Sequence, residues 1–225
     1  MAEEVVFEEI KPTTKIKKYN EVRDIIIAWI AISICFTLVL GGFNVLDGAY
    51  SNWVFDWSKL GLYILISLFA TGTAFILHEL AHKYSAIHIG AKAKFIMWKN
   101  SLFMSVGFAA LVGFVFVAPG AVYIFGKHLS RKEDGLTSLA GPATNIILAI
   151  LFIIVYFILG SPQTGIIAPI LGFGIIINFW IAFFNLLPIG PLDGKKIFVW
   201  NPFIWVICTA ISIGGYLLFS GLIPL

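Results

Sequence analysis

The sequence predicts an all-α polytopic membrane protein of about five or six transmembrane helices. Three observations carry this: 60% of the 225 residues are hydrophobic, only 12% are charged, and the mean hydropathy is +0.96. A water-soluble domain carries roughly 25% charged residues, so this chain cannot coat a surface of its size against water, and lipid takes that place. The net charge of +3, with 15 Lys and Arg spread over several loops, forms no basic patch of the kind that holds nucleic acid. Cys35 and Cys208 stand singly in apolar runs, and their spacing suggests neither a disulfide framework nor a thiolate zinc site.

Residues 1–24 form a polar arm in which Glu is interleaved with Lys and Arg, unlike the short basic stretch and apolar core of a removable signal peptide. The arm is expected to stay, solvated or lying on the membrane surface, and residues 25–225 to form a single transmembrane domain. Apolar runs follow at 25–45, 60–89, 102–125, 136–159, 166–187 and 203–223, most of them near the roughly 20 residues that cross a bilayer.

Lys and Arg concentrate on the cytoplasmic side of membrane proteins. Lys11, Lys15, Lys17, Lys18 and Arg23 therefore place the N-terminus inside, the first run exits, and the loop 46–59 lies outside. The second run returns to Lys83, Lys92, Lys94 and Lys99. The next basic cluster, Lys127, Arg131 and Lys132, belongs on the same side, so run 102–125 is expected to dip in and come back as a re-entrant element. Its stretch 106–123 is rich in Gly, Val and Phe, contains Pro119 and Gly120, and has no helical polar face, which suits a β-hairpin. Run 136–159 then goes out, the uncharged turn 160–163 lies outside, run 166–187 returns to Lys195 and Lys196, and the last run ends outside. Five crossings and one re-entrant element result, with Trp53, Trp57 and Trp200 near run ends, where amphipathic aromatics favour the interface.

Inside the second run stands His78-Glu79-Leu80-Ala81-His82. Residues four apart on a helix differ by about 40° in direction, so His78 and His82 share one face and their ring nitrogens can meet one metal ion. Glu79 reaches a water at such a metal, where it can take a proton and return it to a leaving amine. Zinc suits two imidazoles and a carboxylate. The alternative is a polar cluster that joins helices, but ionisable groups within a span are costly and usually functional.

A catalytic site of this kind needs one more protein ligand. Most acids lie in or just after the arm, Asp47 and Asp56 are expected outside, and Glu133 and Asp134 in a basic loop, which leaves Asp193. It lies in the segment 185–196, where Pro188, Gly190, Pro191 and Gly194 must break the helix, and the orientation brings it to the depth of His78 and His82. A helix cap or lysine partner is the alternative for Asp193. The run Gly141-Pro142-Ala143-Thr144-Asn145 reads as a kink with small residues for close packing. His88 and His128, near basic loops and without a partner at ligand spacing, read as interfacial.

With H-E-x-x-H in one span and N-x-x-P-x-x-P-x-D-G (Asn185 to Gly194) at the break of a later one, the chain resembles the site-2 proteases, the intramembrane zinc metalloproteases. The G-P-x-x-N from Gly141 to Asn145 is similar to theirs, and the likeness runs from about residue 60 to 196, the expected catalytic core. The resemblance implies one catalytic Zn2+ held by His78, His82 and Asp193, with Glu79 as the catalytic acid and base. It implies Asn185 as a catalytic polar group near the scissile peptide, and a hairpin region that holds extended substrate. Hydrolysis would then fall within or near transmembrane segments of membrane-protein substrates, as in regulated intramembrane proteolysis. The expected setting is a prokaryotic cell membrane, with the N-terminus and the active-site opening on the cytoplasmic side. Partners would be a transmembrane protein substrate and membrane lipid, and no nucleic acid; the oligomeric state is left open. Ala81 stands where Gly is frequent in that family, and Asp193-Gly194-Lys195 replaces the more usual D-G-G. Two alternatives remain: a metal-binding membrane transporter using the same residues at a broken helix, and a catalytically inactive homologue.

Overall fold

The computed structural model describes residues 20–43, 45, 56–115 and 119–221. The expectations for residues 1–19 of the arm, for Asp47 and for Trp53 lie outside the described residues. Helix α1 (Glu21–Leu40) opens on Asn20, whose side chain accepts the Arg23 N–H. Helices α2 (Leu60–Thr71) and α3 (Leu77–His88) form one continuous span joined by a π-helical turn at Gly72–Ile76. Strand β1 (Lys92–Met97), helix α4 (Lys99–Val112) and strand β2 (Gly120–Phe125) follow, then α5 (Arg131–Ile158), α6 (Ile167–Asn185), the short α7 (Asp193–Trp200) and α8 (Pro202–Ser220). Among the described residues, five helices are long and apolar enough to cross a membrane: α1, the α2–α3 span, α5, α6 and α8. The chain is a multi-pass membrane protein of helical architecture, as its composition predicts.

Apolar residues such as Ile150, Leu151, Ile154 and Phe157 are exposed along α5, and α8 buries only Ser212 among its described residues. In water such faces would be an aggregation surface; in a bilayer they are the solvated side. Lipid removes the usual hydrophobic drive between helices, so close packing and interhelical hydrogen bonds hold the bundle. One core joins Ala28, Ile32 and Phe36 of α1 to Ala70 of α2, Phe95 of β1 and Ile177 of α6. Ser33 Oγ meets Thr71 Oγ1 at 2.6 Å, and Trp29 Nε1 donates to Leu68 O at 3.0 Å. These bonds dock α1 on the span that carries the two histidines.

Run 102–125 is re-entrant. Helix α4 has 14 residues, a length of about 21 Å against a hydrocarbon core of about 30 Å. It ends on Gly113 in the left-handed conformation at φ 71°, where a residue without Cβ terminates a helix at little cost. β1 and β2 pair antiparallel, from Lys92 opposite Phe125 to Met97 opposite Gly120, so the chain comes back beside the point from which it left. The hairpin differs in detail from the expectation, because 106–112 is helical and the β structure occupies only 120–123 of the stretch 106–123. Its partner is β1, before the apolar run. Strand pairing satisfies backbone groups that lipid could not, and residues 99–112 between the strands satisfy theirs as a helix.

Helix α5 starts with a full capping box: Ser130 accepts the Glu133 N–H, and the Glu133 carboxylate accepts the Ser130 N–H. Glu133 and Asp134 therefore sit in its first turn rather than in a loop. α6 ends at Asn185, where the prolines stop it, and the turn 186–192 leads directly into Asp193, the first residue of α7. Asn201 caps α8 by accepting the N–H groups of Phe203 and Ile204, with Pro202 at the first helical position. Trp205 Nε1 donates to Leu186 O at 2.7 Å, which anchors the turn that carries Asp193.

Candidate metal centre

His78 and His82 lie on α3 just after the π-helical turn. Both are buried, and their Nε2 atoms stand 3.0 Å apart. The other nitrogen of each ring is held by an oxygen from α5: His78 Nδ1 lies 2.6 Å from Asn145 Oδ1, and His82 Nδ1 lies 2.8 Å from Thr137 O. These oxygens only accept, so each ring carries its proton on Nδ1 and turns the Nε2 lone pair toward its neighbour. Asn145 is oriented in turn: its Nδ2 donates to Ala74 O at 2.8 Å and to Asn178 Oδ1 at 3.0 Å. Ala74 belongs to the π-helical turn, which joins the backbone irregularity to the site.

Asp193 closes the set from the start of α7, with Oδ2 at 3.5 Å from His78 Nε2 and 3.1 Å from His82 Nε2. One ligand atom from each of the three residues falls within 4.8 Å of the others. Two donors on a tetrahedral zinc at about 2.0–2.1 Å stand about 3.3 Å apart, so these separations fit a single ion. Three electron-pair donors this close repel one another unless a cation sits among them.

Two further observations support the fit. Gly141 of α5 packs against the metal-facing side of the rings, and a Cβ there would meet Nε2 of both His82 and His78 inside contact distance. Glu79 is buried, and its Oε2 has no hydrogen-bond partner. A lone buried carboxylate oxygen is costly and is the feature expected of a group that handles a proton from water.

The donors open onto a cavity of about 1160 Å3 whose walls include Glu79, Val122, Trp180, Asn185 and Asp193. Asn185 thus lines the cavity, but its Nδ2 donates to Ile181 O of its own helix at 3.0 Å and it makes no bond to the histidine cluster. His88 and His128 are exposed. The sequence reading assigned Asn145 to packing, and did not single out Asn178 or the Thr137 carbonyl. Asn178 was the legible one of these, as an uncapped polar residue in the middle of an otherwise apolar span.

The chain is 42% identical over 159 residues to a Methanocaldococcus jannaschii protein named "Putative zinc metalloprotease MJ0611", covering 70% of this chain and 81% of that protein. It is 31% identical over 150 residues to "Putative zinc metalloprotease YwhC" of Bacillus subtilis, covering 60% and 67%. It is 27% identical over 148 residues to "Putative zinc metalloprotease Rip2" of Mycolicibacterium smegmatis, covering 61% and 57%. No protein-family model and no solved structure matches the chain. The donor set is one that zinc takes, and with identity of this extent across most of the Methanocaldococcus jannaschii protein, the chain belongs to the zinc metalloprotease family that these relatives represent.

Proposed function

We propose that this protein is an intramembrane zinc metalloprotease of the site-2 protease type, which hydrolyses peptide bonds within or near transmembrane segments of membrane-protein substrates. The observation that carries the reading is the unpartnered Glu79 oxygen beside the His78, His82 and Asp193 donors, in a cavity that one strand edge borders. Bound zinc supplies Lewis acidity, which lets water ionise near neutral pH and polarises a carbonyl group. The protein's own groups do the rest. Glu79 takes the proton from the attacking water and delivers it to the departing amine nitrogen. Asn145 and the Thr137 carbonyl keep both imidazoles in one tautomer. Asn185 exchanges its bond to Ile181 O for the substrate backbone, where it steadies the developing oxyanion.

The sheet suggests how an extended peptide is held. The Phe95 N–H points away from β2 and donates to Glu21 Oε1 at 2.9 Å. In an antiparallel ladder its opposite residue, Val122, also turns its N–H and C=O away from the partner strand, and Val122 lines the cavity with Glu79. The outer edge of β2, where the Val122 N–H meets the Glu79 carboxylate, is the one assigned to strand addition, while Glu21 covers that of β1. A substrate helix must unwind to use this edge, so substrates with helix-weakening Gly, Asn or Pro are preferred. The basic residues Lys83, Lys92, Lys127, Arg131 and Lys196 near the α3, β-sheet, α5 and α7 ends of this site support an opening on the cytoplasmic side of a cell membrane.

The deciding experiment measures zinc content and cleavage of a reporter transmembrane substrate for purified wild type, Glu79→Gln and Asp193→Asn. Wild type is expected to cleave, Glu79→Gln to keep zinc without cleaving, and Asp193→Asn to bind zinc weakly. Equal zinc in all three with no cleavage across several substrates would replace the protease reading with that of a metal-binding transporter or an inactive homologue.

A further inference from the structure

A second cavity, of about 280 Å3, lies between the first turn of α5, the loop before Asp193, and α7. Its charged walls are Arg131, Lys195 and Lys196, with Asp134 as the single carboxylate. Asp134 Oδ1 stands 3.3 Å from Lys196 Nζ and is taken by that ion pair. Arg131 donates through Nη2 to Val199 O, a neutral carbonyl. Among the described residues, neither Arg131 nor Lys195 has an ion pair. Glu133, the remaining acid of this turn, is held by Lys127 Nζ at 2.6 Å and by Ser130. Two uncompensated positive charges therefore share one small cavity, and an anion with several acceptor oxygens relieves their repulsion. A guanidinium with N–H groups to spare and a neighbouring ammonium suit a phosphate group.

The position of the cavity selects the source of that phosphate. It sits at the end of one span, α5, and beside a short helix that links the ends of two others, α6 and α8. α7 exposes Phe198 and Val199, and Phe203 follows, also exposed, at the start of α8. Exposed apolar side chains beside lysines at the junction of two spans suit the headgroup layer, where long basic side chains lay their stems on apolar surface and turn their charge to water and phosphate. Basic pockets between span ends take anionic headgroups. We infer that this cavity is a binding site for the phosphate of an anionic membrane lipid. Its walls Pro191 and Leu192 also line the metal cavity, so a bound headgroup buttresses the loop that carries Asp193.

The test uses the purified full chain in neutral detergent, titrated with phosphatidylglycerol or phosphatidylcholine in mixed micelles, with retained lipid counted by native mass spectrometry. One phosphatidylglycerol is expected to be retained in preference to phosphatidylcholine. The double variant Arg131→Gln/Lys195→Gln is expected to lose roughly 25-fold in affinity, about fivefold for each basic side chain. Lys92→Gln/Lys99→Gln, which removes the same charge elsewhere, is expected to bind as wild type. An equal loss in both double variants would reduce the effect to general surface attraction and overturn the site. Saturation by inorganic phosphate alone, at concentrations where phosphatidylglycerol does not compete, would make it a soluble-anion pocket and overturn the lipid assignment. Should the double variant misfold by circular dichroism, Lys195→Gln alone carries the comparison, with about a fivefold loss expected and no loss overturning the proposal.

Discussion

Asn145 Oδ1 lies 2.6 Å from Nδ1 of His78, across 67 residues of sequence. The amide nitrogen of Asn145 is already committed to Ala74 O and Asn178 Oδ1, so its oxygen must face the ring. The proton of His78 is thereby held away from Asp193, and Asn145 would orient a zinc-bound imidazole without touching the ion. Replacing a partner of this kind costs about 10- to 100-fold in metal affinity. Asn145→Leu is expected to fall in that range by competition with a zinc chelator; unchanged affinity would return Asn145 to a packing role.

Gly141 makes the sharper test of how closely α5 approaches the donors. A methyl group at this position would stand against Nε2 of His82 and His78, and the neighbours are ring nitrogens whose positions are fixed by Nδ1 bonds. Overpacking costs about 1–3 kcal/mol, here concentrated on the ligand atoms. Gly141→Ala is expected to keep its helical circular-dichroism signal while its zinc stoichiometry drops well below one per chain. Full zinc occupancy in the variant would show that the rings can retreat.

Glu21 joins three elements at one carboxylate. Its Oε2 accepts from Lys83 Nζ at 2.8 Å and its Oε1 from the Phe95 N–H at 2.9 Å, tying the start of α1 to α3 and to β1. Glu21→Ala leaves a part-buried backbone N–H and an ammonium unpartnered, a loss of about 1–3 kcal/mol. A lower unfolding midpoint in detergent is expected, with zinc content near wild type before unfolding. An unchanged midpoint would mean that water replaces the carboxylate at no cost.

For Asn185 the expectation separates binding from turnover. Its side chain faces the cavity but makes no bond to the ligands, so Asn185→Ala should leave zinc stoichiometry intact. If the amide steadies an oxyanion, kcat on a transmembrane substrate falls about 100- to 1000-fold, with a smaller change in KM. Wild-type kcat would remove Asn185 from the chemistry.

The parts of this protein that could be read from the chain are those governed by local rules. Apolar length gave six candidate runs, because a bilayer of fixed thickness sets the length of helix that crosses it, and the basic clusters reduced the crossings to five. The spacing of four residues put His78 and His82 on one face, because helical pitch is local. Matching basic clusters on either side of run 102–125 indicated a return to the same side, and pairing of Lys92 with Phe125 bears this out. Asp193 was reached by elimination among few acids, and the structure brings it to 3.1 Å from His82.

Other features arise only where distant segments meet. The stretch 106–123 suited a β-hairpin for want of a polar face, yet 106–112 is helical, because an apolar run without a polar face fits either structure; pairing with β1, outside the run, determines which residues are extended. The tautomer of each imidazole depends on oxygens 67 and 55 residues away. The reason for glycine at 141 lies in the contact between α5 and α3, which no pattern within α5 encodes. Periodicity and composition are properties of neighbours along the chain, whereas ligand orientation, close approach and the choice of an open strand edge are set by packing between elements.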